Sequence, residues 1–77
     1  MNKVLFFAGL QEKAGKEFVE IDVDGQTVQS LKERLEKDYG LTDIYEAMTA
    51  INEEIASNDT TIKEKDTIAF LPPVSGG

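Results

Sequence analysis

The last six residues of the sequence carry the groups that could do chemistry. Pro72-Pro73-Val74-Ser75 is followed by Gly76-Gly77. Glycine has no Cβ, so its backbone enters and bends in a narrow channel without steric conflict. The prolines fix their own φ angles and remove two backbone donors at the root of the segment. We therefore expect residues 72–77 to form a flexible tail on a domain of residues 1–71. This tail would offer the α-carboxylate of Gly77 to a partner enzyme; a frayed terminus without a function is the alternative.

The side chains that most often catalyse reactions are missing from this chain. It contains no cysteine and no histidine, which excludes thiolate chemistry and removes the commonest general base. A metal site would therefore need carboxylates alone, and charge clusters on a small acidic domain are usually solvated surface. We expect no metal site and no cofactor bound by this chain. The acidic residues from which a carboxylate site could be built are Glu53, Glu54, Asp59, Glu64 and Asp66.

Length and composition indicate one small globular domain. The chain has 77 residues, of which 40% are apolar and 30% are charged, a composition typical of folded rather than disordered proteins. No apolar run is long enough to span a membrane. The first residues, Met1 to Val4, lack the layout of a signal peptide. We therefore expect a cytoplasmic protein.

The net charge of the chain is −7, from fifteen acidic and eight basic residues. Such a surface repels phosphate backbones, so we expect no nucleic-acid partner. It favours encounter with a basic protein surface, although solubility alone is an alternative explanation of the charge.

Alternating apolar residues predict five strands, and two short helical segments are expected near residues 10–14 and 41–47. The strand at 17–23 alternates most clearly, and Asn52-Glu53 predicts a hairpin turn. We expect the first and last strands to lie side by side in parallel. The predicted strand ranges are 3–8, 17–23, 48–51, 54–56 and 67–71.

One long helix is predicted between the second and third strands. Thr27 is a typical N-cap residue, and Gly40 is a typical C-terminal glycine. The apolar stripe consists of Val28, Leu31, Leu35 and Tyr39, and the predicted solvent face carries Lys32, Glu33, Glu36 and Lys37.

These elements predict an α+β domain in which one main helix packs on one face of a mixed sheet. The two central strands are apolar on both faces, however. If Val4, Phe6, Ile68 and Phe70 pack under the helix, then Leu5, Phe7 and Leu71 lie on the open face of the sheet, where Ile55 could join them. Exposed apolar area of this kind marks a partner surface. The alternative is that the two short helical segments cover it.

The beginning and end of the chain resemble a known family. Lys3-Val4-Leu5-Phe6-Phe7-Ala8 and Phe70-Leu71-Pro72-Pro73-Val74-Ser75-Gly76-Gly77 are similar to the small, sulfur-carrying subunits of molybdopterin synthase, which are ubiquitin-like β-grasp proteins. The closing segment is the most specific part of this resemblance. The Ala50-Ile51-Asn52 hairpin and the Asp66-Thr67-Ile68-Ala69-Phe70 strand also fit.

The resemblance implies a specific chemistry for the tail. An adenylating enzyme, a ubiquitin-activating-like adenylyltransferase, would use ATP and Mg²⁺ to activate the carboxylate of Gly77. Sulfur would then replace one oxygen to give a thiocarboxylate. The large synthase subunit would accept the tail, and the sulfur would pass to a cyclic pyranopterin precursor.

The resemblance also implies site residues and leaves two alternatives open. Gly76 and Gly77 would be the reactive end. A thiamine-pathway sulfur carrier shares the fold and the terminal glycines, and a β-grasp interaction module with an inert tail is the other alternative. The residues expected to bind partners are Phe7, Ile55, Leu71, Pro72, Pro73, Val74 and Ser75.

Overall fold

The computed structural model describes residues 1–72 and contains one five-stranded sheet. Two α-helices and one 3₁₀ helix accompany it, α1 at Ala8–Ala14, α2 at Val28–Tyr39 and the 3₁₀ helix at Thr42–Glu46. The predicted element order is confirmed, with strand ends that differ by up to two residues. The strands are β1 Asn2–Phe6, β2 Phe18–Ile21, β3 Met48–Ile51, β4 Glu54–Ala56 and β5 Thr67–Leu71.

The strands follow the order β2-β1-β5-β3-β4 across the sheet. The parallel pairing of β1 with β5 is confirmed, with Val4 opposite Ile68 and Phe6 opposite Phe70. The other pairs, β1 with β2, β3 with β5 and β3 with β4, are antiparallel. The sheet is therefore mixed, and its central strand leads directly to Pro72.

Both ends of α2 are fixed by local chemistry. The side-chain oxygen of Thr27 accepts a hydrogen bond from the backbone N–H of Ser30 at 3.2 Å, which satisfies one of the free donors of the first turn. Gly40 adopts a left-handed conformation with φ 68°, and its N–H donates to the carbonyl of Glu36. A side chain would be strained at that φ, so glycine ends the helix there. Both predicted boundaries are confirmed.

The core lies between α2 and one face of the sheet. Val4, Phe6, Ile68 and Phe70 are buried there, as predicted. They pack with the apolar stripe of α2, of which Val28, Leu31 and Leu35 are fully buried and Tyr39 is partly buried.

The two short helices also pack on the core and leave the other face of the sheet open. Leu10 of α1 and Ile44 of the 3₁₀ helix belong to the same buried cluster, together with Leu41. The alternative that these segments cover Leu5 and Phe7 is therefore wrong: their apolar side chains close the ends of the helix-side core.

The placement of Lys32 on the solvent face of α2 is wrong. Only 4% of Lys32 is exposed, and its Nζ donates to Oδ1 of Asn58 at 2.8 Å. The segment after β4 lies against the start of α2, where Gln29 N donates to the carbonyl of Asn58 and Val28 N to that of Thr60. Helical periodicity could not predict that this irregular segment covers Lys32.

A buried asparagine joins the ends of three segments. Asn2 is 1% exposed, and its Nδ2 donates to the carbonyls of Lys63 and Asp66. Its Oδ1 accepts from the backbone N–H of Val23 at 3.1 Å. Because a buried amide is costly unless its donors and acceptor are paired, this arrangement fixes the start of β1 against the turn that precedes β5.

Candidate functional site

The described part of the predicted tail is its first residue, Pro72, which is exposed. The other predicted tail residues, Pro73, Val74, Ser75, Gly76 and Gly77, lie outside the residues that the structure describes. The site can therefore be built from the surface that surrounds the point where the tail begins.

The open face of the sheet is apolar across all five strands. Leu5 of β1 lies opposite Phe18 of β2 and Ala69 of β5, and Ala50 of β3 lies opposite Ala69 and Ile55 of β4. Residues that are paired across neighbouring strands point to the same face. The side chains therefore form one row, in which two alanines separate Leu5 from Ile55.

A second apolar group lies on this face beside the root of the tail. Leu71 is half-buried and lies opposite Met48, which is 40% exposed. Phe7 follows the end of β1 and is 41% exposed. We call the eight side chains of this surface the open-face patch: Leu5, Phe7, Phe18, Met48, Ala50, Ile55, Ala69 and Leu71.

The open-face patch contains a groove that includes three of the predicted partner-binding residues. Phe7, Ile55 and Leu71 line it together, so the structure brings them into one concave surface. Ile55 is the most exposed of them, at 68%. The remaining lining residues are Leu5, Ala50, Asn52, Glu53, Thr67 and Ala69.

Sequence reasoning placed Ala69 on the same face as Leu71 but missed Phe18, Met48 and Ala50 as members of the patch. Alternation alone gives Phe18 the same face as Glu20, which appears solvent-facing and unremarkable. The signal is the register between β1 and β2, which places Phe18 opposite Leu5. Similarly, Met48 joins the patch because it lies opposite Leu71, and no spacing within one strand reveals that pairing.

Asn52 stabilises the polar end of the groove through two side-chain hydrogen bonds. Its Oδ1 accepts from the backbone N–H of Thr67 at 3.0 Å, and its Nδ2 donates to Oδ1 of Asp66 at 2.8 Å. Asn52 and Glu53 have φ angles of 51° and 71°, which is the pattern of a type I′ hairpin turn. These contacts connect the turn that contains Glu53 to the start of β5.

The root of the tail lies beside α1 and the 3₁₀ helix. Pro72 lines a small cleft with Gly9, Leu10, Asp43, Glu46 and Ala47. Lys13 of α1 forms an ion pair with Asp43 of the 3₁₀ helix, which connects the two elements. Since both partners are exposed, the pair contributes little to overall stability.

Two of the five candidate carboxylates have structural contacts. Oδ2 of Asp66 accepts from the backbone N–H of Lys63 at 2.9 Å, and Glu64 pairs with the N-terminal ammonium of Met1 at 3.0 Å. The hydrogen bond to Glu64 raises the pKa of that ammonium. Within residues 1–72, no group of three or more acidic side chains is placed to hold a metal ion.

Two further electrostatic contacts lie on the surface. Nζ of Lys3 lies 4.4 Å from the ring centroid of Phe18, within the range of a cation–π contact. The hydroxyl of Tyr45 donates to Oε1 of Glu36 at 2.6 Å, and this bond raises the pKa of Tyr45 to about 12.

In the described part of the chain, no helix is both long and apolar enough to cross a membrane.

Comparison with known proteins gives a consistent set of similarities. Residues 4–77 match the model of the ThiS family. The chain is 33% identical over its full length to the molybdopterin synthase sulfur carrier subunit of Escherichia coli (strain K12), whose full length is also covered.

Two solved structures show the same fold. A complex of subunits 1 and 2 of the molybdopterin-converting factor from Helicobacter pylori contains a chain with a TM-score of 0.71 and 27% identity, covering 99% of this chain and 97% of that one. The small archaeal modifier protein 1 of Methanosarcina acetivorans has a TM-score of 0.81 and 26% identity, with coverage of 99% and 95%. These similarities agree with the predicted ubiquitin-like β-grasp fold.

Proposed function

Because the chain belongs to the ThiS family, we propose that it is a sulfur carrier and acts as the small subunit of a molybdopterin synthase. The observation that carries this proposal is that the family match extends through Gly77, so it includes the terminal glycines as well as the folded domain. A relative named as a molybdopterin synthase sulfur carrier subunit also matches over the full length of both chains.

The proposed chemistry takes place on the α-carboxylate of Gly77. In a partner adenylyltransferase, the carboxylate attacks the α-phosphorus of ATP bound with Mg²⁺, and pyrophosphate leaves. A sulfur donor then displaces AMP from the acyl-adenylate and leaves a thiocarboxylate. Within the large synthase subunit, the sulfur is transferred to the cyclic pyranopterin precursor. The chain supplies the carrier group, whereas its partners supply bases, metal and nucleotide.

The folded domain supplies the recognition surface in this scheme. Phe7, Ile55 and Leu71 line one groove, and Leu71 is followed directly by Pro72 and the tail. A partner that binds the open-face patch therefore has the root of the tail beside its own surface. We propose that the large subunit binds this patch, that the tail of residues 72–77 enters its active site, and that these reactions occur in the cytoplasm.

The intact mass of the protein tests the carrier function directly. The purified chain is incubated with the adenylyltransferase, ATP, Mg²⁺ and a sulfur donor. We expect a gain equal to the mass difference between sulfur and oxygen, located on Gly77 by fragmentation. A reaction without ATP is the control and should leave the mass unchanged. No gain in the complete reaction would contradict the proposal and favour an interaction module with an inert tail.

A second measurement separates the molybdopterin pathway from the thiamine pathway. The sulfurated protein is mixed with the large synthase subunit and the cyclic pyranopterin precursor, and the dithiolene product is measured. A sulfurated protein that donates no sulfur in this assay would retain the carrier function but contradict the assignment to molybdopterin synthase.

A further inference from the structure

The centre of the open-face patch is lower than its sides. Ala69 and Ala50 face each other across β5 and β3, and their outer neighbours in the same row are Leu5 on β1 and Ile55 on β4. The groove described above lies over these two alanines. We call this depression the alanine trough; it has Ala50 and Ala69 as its floor and Leu5 and Ile55 as its sides.

The width of the trough suits a large side chain. Neighbouring strands are about 4.8 Å apart, so β1 and β4, which are separated by β5 and β3, lie roughly 14 Å apart. Alanine has only a methyl group above the sheet, whereas leucine and isoleucine rise further from it. Ala50 is 7% exposed and Ala69 is half-buried, yet both line the groove, and the buried apolar residues of α1, α2 and the 3₁₀ helix pack in the core on the other face of the sheet.

The two ends of the groove differ in charge. Among the described residues that line the groove, Glu53 is the only charged one, and Asn52 fixes the turn that carries it. The nearby cation on the same face, Lys3, lies over the ring of Phe18. Phe7 and Leu71 line the opposite, apolar end of the groove. The chemistry therefore changes along the groove from acidic to apolar toward the root of the tail.

We propose that the alanine trough receives one bulky apolar side chain of the large synthase subunit, next to a lysine or arginine of that subunit that pairs with Glu53. This inference rests on the function proposed above and specifies the chemistry of its partner. Large side chains in fully desolvated pockets dominate the binding energy of protein interfaces, and a charged contact at the rim fixes orientation.

Filling the trough tests the proposal. Ala69→Phe places a ring over the floor, and Ala69→Ser is the matched control because it leaves the trough open. We expect Ala69→Phe to weaken binding to the large subunit by about 30-fold or more, on the scale of an interface hot spot, and Ala69→Ser to change it by less than about threefold. Thermal midpoints of the free proteins show whether each variant is folded.

A second substitution at the same position keeps the test valid if one variant does not fold. Ala69→Leu replaces Ala69→Phe if the phenylalanine variant does not fold, because a leucine fills the trough with less strain. Wild-type affinity in either folded variant would overturn the proposal. Among the folded variants, the loss of affinity for the large subunit should increase with the volume that the new side chain adds.

The charged part is tested with Glu53→Lys and its neutral control Glu53→Gln. We expect Glu53→Lys to weaken binding more than Glu53→Gln, with the larger difference at low salt. Equal affinities of the two variants would overturn the basic contact. Sulfuration of the wild-type chain distinguishes the two proposals. A wild type that gains no sulfur contradicts the carrier function, whereas a sulfurated wild type together with an unchanged affinity of Ala69→Phe for the large subunit contradicts the trough alone.

Discussion

At the scale of single residues, the proposed reactive position can be predicted from the sequence because its chemistry does not depend on the fold. Gly76 and Gly77 are recognised by residue type and place in the chain, and no tertiary contact is required to infer a thin segment that carries a carboxylate. The predicted partner-binding residues depend on the fold. Alternation places Phe7 and Leu71 on the open face, where Ile55 could join them, and the pairing of the strands shows that the three line one groove.

The position of the reactive carboxylate gives the first prediction. Deleting Gly77, or adding one alanine after it, should abolish the gain of sulfur mass, because the carboxylate would no longer lie at its required distance from the domain. The thermal midpoint should stay within error of the wild type. Sulfuration of either variant at the wild-type rate would contradict the importance of Gly77.

Phe7 gives the second prediction, with Phe18 as a matched control. Both side chains are 41% exposed on the open face, but only Phe7 lines the groove that leads to the tail. Phe7→Ser should weaken binding to the large subunit by about 2 kcal/mol or more, as expected for an aromatic anchor. Phe18→Ser should have a smaller effect.

Titration calorimetry against the large subunit gives both affinities, and circular dichroism shows whether each variant is folded. If Phe18→Ser lost more affinity than Phe7→Ser, the interface would be centred on β2 rather than beside the tail.

At the scale of elements, local chemistry predicted most of the fold. The N-cap Thr27, the C-terminal Gly40 and the apolar stripe of α2 define a helix without reference to the rest of the chain, and alternation defines the strands. Register and the paths of irregular segments are set by distant contacts. The burial of Lys32 depends on Asn58, 26 residues further along the chain, and no periodic pattern contains that information.

Lys32 gives the third prediction. Burial lowers the pKa of Lys32, so folding makes the charged ammonium less favourable than it is in the unfolded chain. Lys32→Met retains the length of the side chain and removes the buried charge, while the exposed Asn58 can bond to water. We expect this variant to be more stable than the wild type by about 1 kcal/mol at pH 7.

The pH dependence of that difference has a definite sign. The cost of burying the ammonium is fully present below the lowered pKa of folded Lys32, and it disappears as the pH rises toward the unfolded value of 10.5. The gain in Lys32→Met should therefore shrink as the pH approaches 10.5. Urea unfolding at several pH values measures it, with Lys37→Met on the exposed face as control. A loss of stability at pH 7 would show that the bond to Asn58 outweighs the burial cost.

At the scale of the whole molecule, the fold places the open-face patch, which we propose as the recognition surface, and the core on opposite faces of one sheet. Because the core of a domain this small supplies only modest net stability, we expect Leu31→Ala, at a fully buried position of α2, to cost about 2–5 kcal/mol. Denaturant unfolding measures this cost. An unchanged unfolding midpoint would contradict the assignment of Leu31 to the core.

The net charge of −7 gives the last prediction, which concerns the rate of encounter with the large subunit. A surface with a net negative charge accelerates association with a basic partner, and salt screens that attraction because the Debye length falls from about 30 Å at 0.01 M to about 3 Å at 1 M. Over this range, we expect the association rate constant to fall about tenfold or more, with little change in the dissociation rate constant.

Two variants that each remove one negative charge show whether the association rate depends on the total charge or on where the charge lies. Glu33→Gln removes one charge from α2, on the far side of the sheet, and Glu53→Gln removes one from the rim of the groove. Local steering predicts that Glu53→Gln slows association at low salt more than Glu33→Gln does, because interactions between charges weaken with distance. Equal slowing would mean that the total charge alone sets the rate. An association rate constant independent of salt would mean that the acidic surface plays no part in recognition, and that the apolar open-face patch must select its partner without electrostatic guidance.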